Sequence, residues 1–502
     1  MLNLVKHHVA EMLETLQEAI NQLPNGDITH DEVISFIYSI NNILAKESAE
    51  CASVGEKLIK SLKLPQETIM TVFAEYIDLF NSVPTQYKVL FLPYYESTWD
   101  SLESVWEAFV ADPMFITQIT IMPIRRNTGN GNTTEVYKDY LTPKGIPQVP
   151  YTQYDIEKDK PDIVFINQPY DGVNFPQFES TVIKPNVGLL VYIPYYMHFH
   201  RSVKEKDFTE AVQFFTELPG HNTADLYITN GSTFMKAYQK YSKNGHKMVA
   251  LGSPKADYLH KNKNNFPRHP AWEKRIKDRT TFMLNTHYEA LTVTDKYNNT
   301  TAWLSHLIDY ISKDEKLALI WRPHPVTFMF LDNTPEPMKN LLNKLRNGDI
   351  PQIILDETEN AISAFMYCDA VLSEYSSLIT ASVYLDKPTF CLNMNPLEYH
   401  ENPAKYYEPK YSKLLSKTKK AKLGDLTMHT ALPSSGAAKY LMKGETVEEM
   451  MYRKPLFEFI EAIKRGEDPK AELRSAFLKE LLVNLDGKCG SSILSYIKEN
   501  YL

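Results

Sequence analysis

Cysteine is scarce: four residues in 502, Cys51, Cys368, Cys391 and Cys489, with no CxxC pair among them. Scattered thiols, two of them in apolar strand-like runs, imply buried reduced cysteines of the kind a cytosolic protein keeps. Long apolar runs are missing as well. No stretch approaches the ~18 apolar residues that a membrane-crossing helix needs. Lys6, His7, His8 and Glu11 interrupt the region where a secretory signal would carry its apolar centre. The expectation is a cytoplasmic protein, soluble or at most attached to the inner face of the cell membrane. The net charge of −8 argues against nucleic acid as the main partner. Three ligand-binding signatures are also absent: no GxGxxG follows a strand, and neither GxxxxGK[ST] nor HExxH occurs. Nicotinamide enzymes, P-loop kinases and zinc peptidases lose support accordingly.

What is present is ordinary globular material, 43% hydrophobic and 12% aromatic, in a length that suits two or three domains. Over residues 1–83 apolar positions such as Leu13, Leu16, Ile20, Val33, Ile37, Ile40 and Leu44 recur at three- and four-residue steps, which predicts a helical module. After Pro84 the period changes. Apolar runs at Tyr87 to Tyr95, Phe115 to Ile124, Asp162 to Tyr170, Gly188 to Tyr196, Ala224 to Gly231 and Lys247 to Pro254 alternate with helix-length spacers. A second series starts near Thr281. Strands buried on both faces and alternating with helices imply parallel sheets. The expected fold class is α/β, a pair of Rossmann-like domains (84–265 and 266–445) facing a cleft, with the helical module in front and helices over 446–502. The stretch 261–279 is read as the join.

Chemistry-bearing residues concentrate where the apolar runs stop. The run at Ala370 ends in Ser373, Glu374, Ser376 and Ser377 before a helix, where hydroxyls and unpaired backbone N–H groups can receive a phosphate. Helix capping by Ser376 or Ser377 is the simpler alternative. The run at Leu317 ends in Arg322-Pro323-His324-Pro325, and the two prolines present the imidazole from a stiff loop. Arg322 suits bidentate phosphate binding, and His324 can bond a phosphate or donate a proton to it. Asn285, Thr286 and His287 follow the first strand of this series. All stand at carboxyl ends of strands, where ligands of such sheets bind. In the earlier series, Trp99 and Asp100 lie at a strand-to-helix turn, with Asp100 either capping a helix or touching a ligand. Another strand runs out into Tyr196, His198 and His200. Asn127 to Asn132 reads as a flexible glycine-bearing loop. Six lysines between Lys410 and Lys422 form either a solvated face or a contact for anionic lipid or polyphosphate. No carboxylate cluster with ligand spacing stands near these motifs, so neither a metal nor a cofactor is assigned.

Arg322 to Pro325, Ser373 to Ser377, Leu251 to Leu259 (LGSPKADYL) and Asp486 to Ile497 (DGKCGSSILSYI) together resemble the CDP-glycerol glycerophosphotransferase family, teichoic acid primases and polymerases of GT-B fold. Leu92 to Phe109 is similar to a branch of that family with a helical extension in front. The resemblance implies that Ser373, Ser376 and Ser377 bind the donor pyrophosphate with His324 beside them, and that Glu374 and Lys255 occupy positions where aspartate and arginine are usual. The family's tryptophan-histidine-glycine block, source of its acceptor base, is replaced here by YIPYYMHFH, so His198, His200 or Tyr196 would take that place.

The implied activity is phosphoryl transfer from a CDP-linked donor to a hydroxyl of a polyol-phosphate or lipid-linked glycan, with CMP leaving. His198 and His324 are the expected catalytic groups. Arg322, Lys255 and Ser373 to Ser377 are expected on the donor phosphates, Asn285, Thr286 and His287 toward the nucleotide, and Tyr196, His200 and Asp100 toward the acceptor. Two alternatives stay open: a nucleotide-sugar transferase or epimerase of the same fold, and a non-catalytic scaffold. A homo-oligomer and peripheral membrane contact are both compatible with the sequence.

Overall fold

The computed structural model describes residues 1–94, 96–127, 133–136, 146–197, 216–286, 307–324, 328, 336–358, 360–373, 376–393, 427–431, 455–468, 470–472, 474–475, 478 and 482–502. Four helices open the chain, α1 (Asn3–Gln22), α2 (His30–Leu44), α3 (Ala49–Ser61) and α4 (Gln66–Ser82). Each turns one apolar stripe inward, and the stripes make a single core that includes Leu16, Ile20, Ile37, Ile40, Leu58, Phe73 and Tyr76. Thr29 starts α2 with a reciprocal capping box: its hydroxyl accepts the Glu32 N–H while the Glu32 carboxylate accepts the Thr29 N–H. Gly55 lets α3 lie close to α2, since a Cβ there would stand 2.0 Å from Asn41 Oδ1. That oxygen accepts the Tyr76 hydroxyl at 2.6 Å.

Beyond the helices the pattern turns to strands: β1 (Tyr87–Leu92), β2 (Phe115–Ile119), the antiparallel ribbon β3 (Ile124–Asn127) and β4 (Thr133–Val136), then β5 (Ile163–Ile166), β6 (Leu189–Tyr192), β7 (Leu226–Thr229) and β8 (Met248–Ala250). Apart from the ribbon they form one parallel sheet, ordered β2-β1-β5-β6-β7-β8. The second sheet holds β9 (Thr280–Thr286), β10 (Leu317–Pro323), β11 (Ile353–Leu355), β12 (Ala370–Ser373), β13 (Thr389–Asn393) and β14 (Thr427–Ala431). It is parallel too, ordered β11-β10-β9-β12-β13-β14. All seven residues of β10 are buried, as expected for a strand covered on both faces. The chain is thus α/β, with two Rossmann-like sheets behind a helical N-terminus. In each sheet the strand order reverses once, between β1 and β5 and between β9 and β12, and the carboxyl edge at such a reversal is where ligands of open α/β sheets bind.

Four local differences from the sequence expectations have physical causes. The run Phe115 to Ile124 is not one strand, because it breaks over residues 120–123, which include Pro123, and resumes in the ribbon. A sixth strand, β14, extends the second sheet with a sequence too polar to stand out. The 261–279 stretch is not a plain join. It contains the Pro270–Ile276 helix, whose Trp272 and Ile276 pack on the second sheet's core. The C-terminal segment also divides. The Pro455–Lys464 helix packs on the second sheet through Leu456, Phe459 and Ile460, whereas the Cys489–Tyr501 helix packs on the first through Cys489, Ile493 and Ile497.

The two sheets are joined by a small polar and apolar seam. Met197, Ala256, Leu259 and Leu482 share a core with Met283, Ile320 and Val371 of the second sheet. In the Pro254–Asn262 helix, Asp257 accepts the N–H groups of Cys489 (3.1 Å) and Gly490 (2.9 Å), which holds the start of the last helix. Burial pushes the Asp257 carboxyl up. Gly490 permits this docking, because a Cβ would come within 2.1 Å of the Ser104 carbonyl oxygen. The two blocks quoted above, LGSPKADYL and DGKCGSSILSYI, therefore meet in space.

Candidate active site

β9, β10 and β12 lie side by side and in register, Arg322 beside Asn285 and Asn285 beside Ser373. Their carboxyl ends consequently reach one level, at the reversal in strand order. The two sequence motifs, separated by about fifty residues of chain, end on the same edge of the same sheet. Asn285 ties the three ends together: its Nδ2 donates to the Arg322 carbonyl at 3.1 Å, and its Oδ1 accepts the Ser373 hydroxyl at 3.2 Å. Thr286 adds a second tie. Its carbonyl accepts the His324 N–H at 2.9 Å and its hydroxyl accepts Trp321 Nε1–H at 3.1 Å.

These polar residues separate by burial. Asn285, Thr286, Arg322 and Ser373 are buried and brace the strand ends. His324, Ser376 and Ser377 are only partly buried and stand at the rim. Ser376 Oγ accepts the Leu378 N–H at 2.9 Å, opening the short Leu378–Tyr384 helix, and Ser377 makes no side-chain cap. Glu374 and His287 lie outside the described residues.

Arg322 has a role that its sequence context did not show. Its Nη1 donates to Asp356 Oδ2 at 2.7 Å and to the carbonyl and hydroxyl of Thr358, both at 3.1 Å. With Arg322 and Asp356 both buried, this is a structural ion pair that holds the loop after β11 against the end of β10. Thr358 also donates its N–H and hydroxyl to Asp356 Oδ1, which completes the carboxylate's partners. Lys255, expected on the donor phosphates, and Asp100, expected toward the acceptor, are partners of each other. Lys255 Nζ lies 2.8 and 2.6 Å from the two Asp100 oxygens, in a pair only 16% and 12% exposed. Asp100 does not cap α5 (Glu103–Val110), whose N-cap is Leu102 without a side-chain bond.

On the first sheet, Asn167 follows β5 at the reversal in strand order. Its side chain accepts the Tyr94 N–H at 2.8 Å and donates to Thr98 Oγ1 and Ser101 Oγ, while its carbonyl accepts the Tyr195 N–H at 3.0 Å. Sequence inspection passed over Asn167 and Asp356, although each sits directly after an apolar run. Tyr196 is half-buried at this edge, its ring centroid 5.1 Å from that of Tyr195, and burial pushes its phenol well above the usual range. His198 and His200 lie outside the described residues, as does the lysine-rich stretch 410–422.

A cleft of about 520 Å³ opens at the opposite, amino edge of the second sheet. Four carboxylates (Asp278, Asp369, Glu467, Asp468) against two cations (Arg279, Lys464) line it, a balance that repels phosphate. Among the described residues no group of three His, Cys, Asp or Glu is placed to hold a metal, and no helix is long and apolar enough to cross a membrane.

No protein-family model matches the chain, and no curated protein matches it in sequence. Solved structures resemble it in shape. A putative UDP-N-acetylglucosamine 2-epimerase from Listeria monocytogenes shares 12% identity at a TM-score of 0.47, over 83% of this chain and 97% of its own. The wall teichoic acid polymerase TagF shares 10% identity at a TM-score of 0.47, over 90% of this chain and 98% of its own.

Proposed function

We propose that the protein is a phosphotransferase that moves a polyol phosphate, glycerol phosphate first, from a CDP-linked donor to a hydroxyl of a cell-surface glycopolymer or its lipid-linked precursor. The observation that carries this reading is the convergence of Asn285, Thr286, His324, Ser373, Ser376 and Ser377 on one carboxyl edge at the second sheet's reversal point. The rim groups His324, Ser376 and Ser377 receive the diphosphate, and Glu374 is assigned to the same role. Arg322, Asn285, Thr286 and Ser373 fix the strand ends that present it, and His287 is on the nucleotide side. The acceptor oxygen bonds to the phosphorus that carries the polyol, the bridging P–O bond breaks, and CMP leaves with the electron pair. Charge grows on the leaving phosphate, where fixed hydrogen-bond donors stabilise it most. His198 takes the acceptor proton, and His200 and Tyr196 are assigned to acceptor binding.

The test is incubation of the purified chain with CDP-glycerol, CDP-ribitol and UDP-sugars, scoring the nucleotide released. CMP from a CDP-polyol supports the proposal. UDP release without CMP replaces it with a nucleotide-sugar enzyme, and release of neither favours a scaffold.

A further inference from the structure

The carboxyl edge of the first sheet is crowded with tyrosine. Tyr94 follows β1, Tyr170 follows β5, and Tyr195 and Tyr196 follow β6. Ring centroids are 5.9 Å apart for Tyr94 and Tyr195 and 5.1 Å for Tyr195 and Tyr196, with interplanar angles of 43° and 81°. All three residues are intermediate in burial, neither fully enclosed nor fully open. The backbones of Tyr94 and Tyr195 are preset, because the buried Asn167 accepts the N–H of Tyr94 through its side chain and that of Tyr195 through its carbonyl. Rings held this way lose little freedom on meeting a ligand.

We propose that Tyr94, Tyr195 and Tyr196 form an aromatic shelf that binds an uncharged saccharide, so that the hydroxyl receiving the phosphate belongs to a sugar and not to the end of a polyol-phosphate chain. This rests on the first sheet being the acceptor side of the proposed transferase. Tyrosine is amphipathic, with a face for the C–H surface of a pyranose and a hydroxyl for its polar rim. The layer beneath is polar in composition yet carries no charge. Tyr192 and Tyr227 cross edge to face at 4.7 Å, and His221 stacks on Tyr227 at 5.4 Å and 9°. Burial raises both phenols and lowers His221 to about 3, so the layer is neutral at physiological pH. His221 Nδ1 accepts the Leu218 N–H at 3.1 Å, which puts the ring proton on the buried Nε2, an atom without a hydrogen-bond partner in the structure. Among the described residues of the first sheet's loops, Asp100 is paired with Lys255 and Asp171 accepts from Ser180. A chain of phosphates would find no countercharge in these groups, whereas a neutral sugar needs none.

Saturation-transfer NMR on the full chain tests this with four probes: N,N′-diacetylchitobiose, maltose, glycerol 3-phosphate and CDP. At least one disaccharide should receive saturation at its ring C–H protons. Tyr94→Ala and Tyr195→Ala should each cut that signal about fivefold or more, and Tyr195→Phe, which keeps the ring, should preserve most of it. The CDP signal should be the same in all variants. Saturation of glycerol 3-phosphate with neither disaccharide, or a disaccharide signal undiminished in a folded alanine variant, overturns the proposal. If the alanine variants do not fold, ring-labelled tyrosine in the wild type decides it, since unshifted Tyr94 and Tyr195 signals on disaccharide addition overturn it equally. Absence of CDP binding with a tyrosine-dependent disaccharide signal would remove the phosphotransferase reading and leave the shelf standing.

Discussion

At the scale of single residues, the candidate site divides into groups that hold the strand ends and groups that stand at their rim. The division gives opposite expectations for substitution. His324 is partly buried on a loop, so His324→Ala should leave the thermal midpoint near wild type while lowering CMP release about 100-fold or more. Asp356 is the reverse case. It is fully buried against Arg322, and Asp356→Ala leaves a guanidinium without its carboxylate in a dry setting. A loss of about 3 kcal/mol in urea unfolding is expected, of the size seen when one partner of a buried ion pair is removed. An equal effect of the two substitutions on stability would contradict the division.

Among elements, the last helix is the informative one, because its position depends on contacts distant in sequence. Gly490 sits where the Cys489–Tyr501 helix meets Ser104, and Gly490→Ala drives a Cβ into a backbone carbonyl oxygen that cannot swing aside. Chemical denaturation should register a cost of about 1–3 kcal/mol. The helix's other end is held by charge. Lys498 donates to Asp112 at 2.8 Å and, with the Met114 N–H, holds that carboxyl below its usual range. Lys464 does the same for Asp314 at the end of the Pro455–Lys464 helix. Both carboxyls are depressed in the folded state, so their contribution is complete above the unfolded range near ~4 and disappears as pH falls through the lower folded values. Thermal midpoints from pH 7 to pH 3 should therefore drop less steeply in Lys498→Met than in wild type, and parallel curves would count against the pairing.

For the whole molecule, the sequence made the layout legible and hid the partnerships. Apolar runs that stop at Arg322-Pro323-His324 and at Ser373 marked strand ends correctly, because burial on both faces requires an unbroken apolar strand and the first polar residues must fall at its edge. That both ends belong to one edge, with β9 between them, depends on strand order, which no local pattern encodes. Arg322 was expected on the donor phosphates, and its partner Asp356, 34 residues away on another strand's exit, was invisible in the sequence. The pairing of Lys255 with Asp100, 155 residues apart, was hidden for the same reason. Charge type can be read from a sequence, but charge pairing follows from the fold.

The central claim is that the exits of β9, β10 and β12 form a single diphosphate site, and a crystal soaked with CDP tests it most directly. The account predicts diphosphate density within hydrogen-bond distance of His324 and Ser376 at the carboxyl edge. Density in the amino-edge cleft beside Asp369 and Lys464, or a carboxyl edge left empty at saturating CDP, would contradict it.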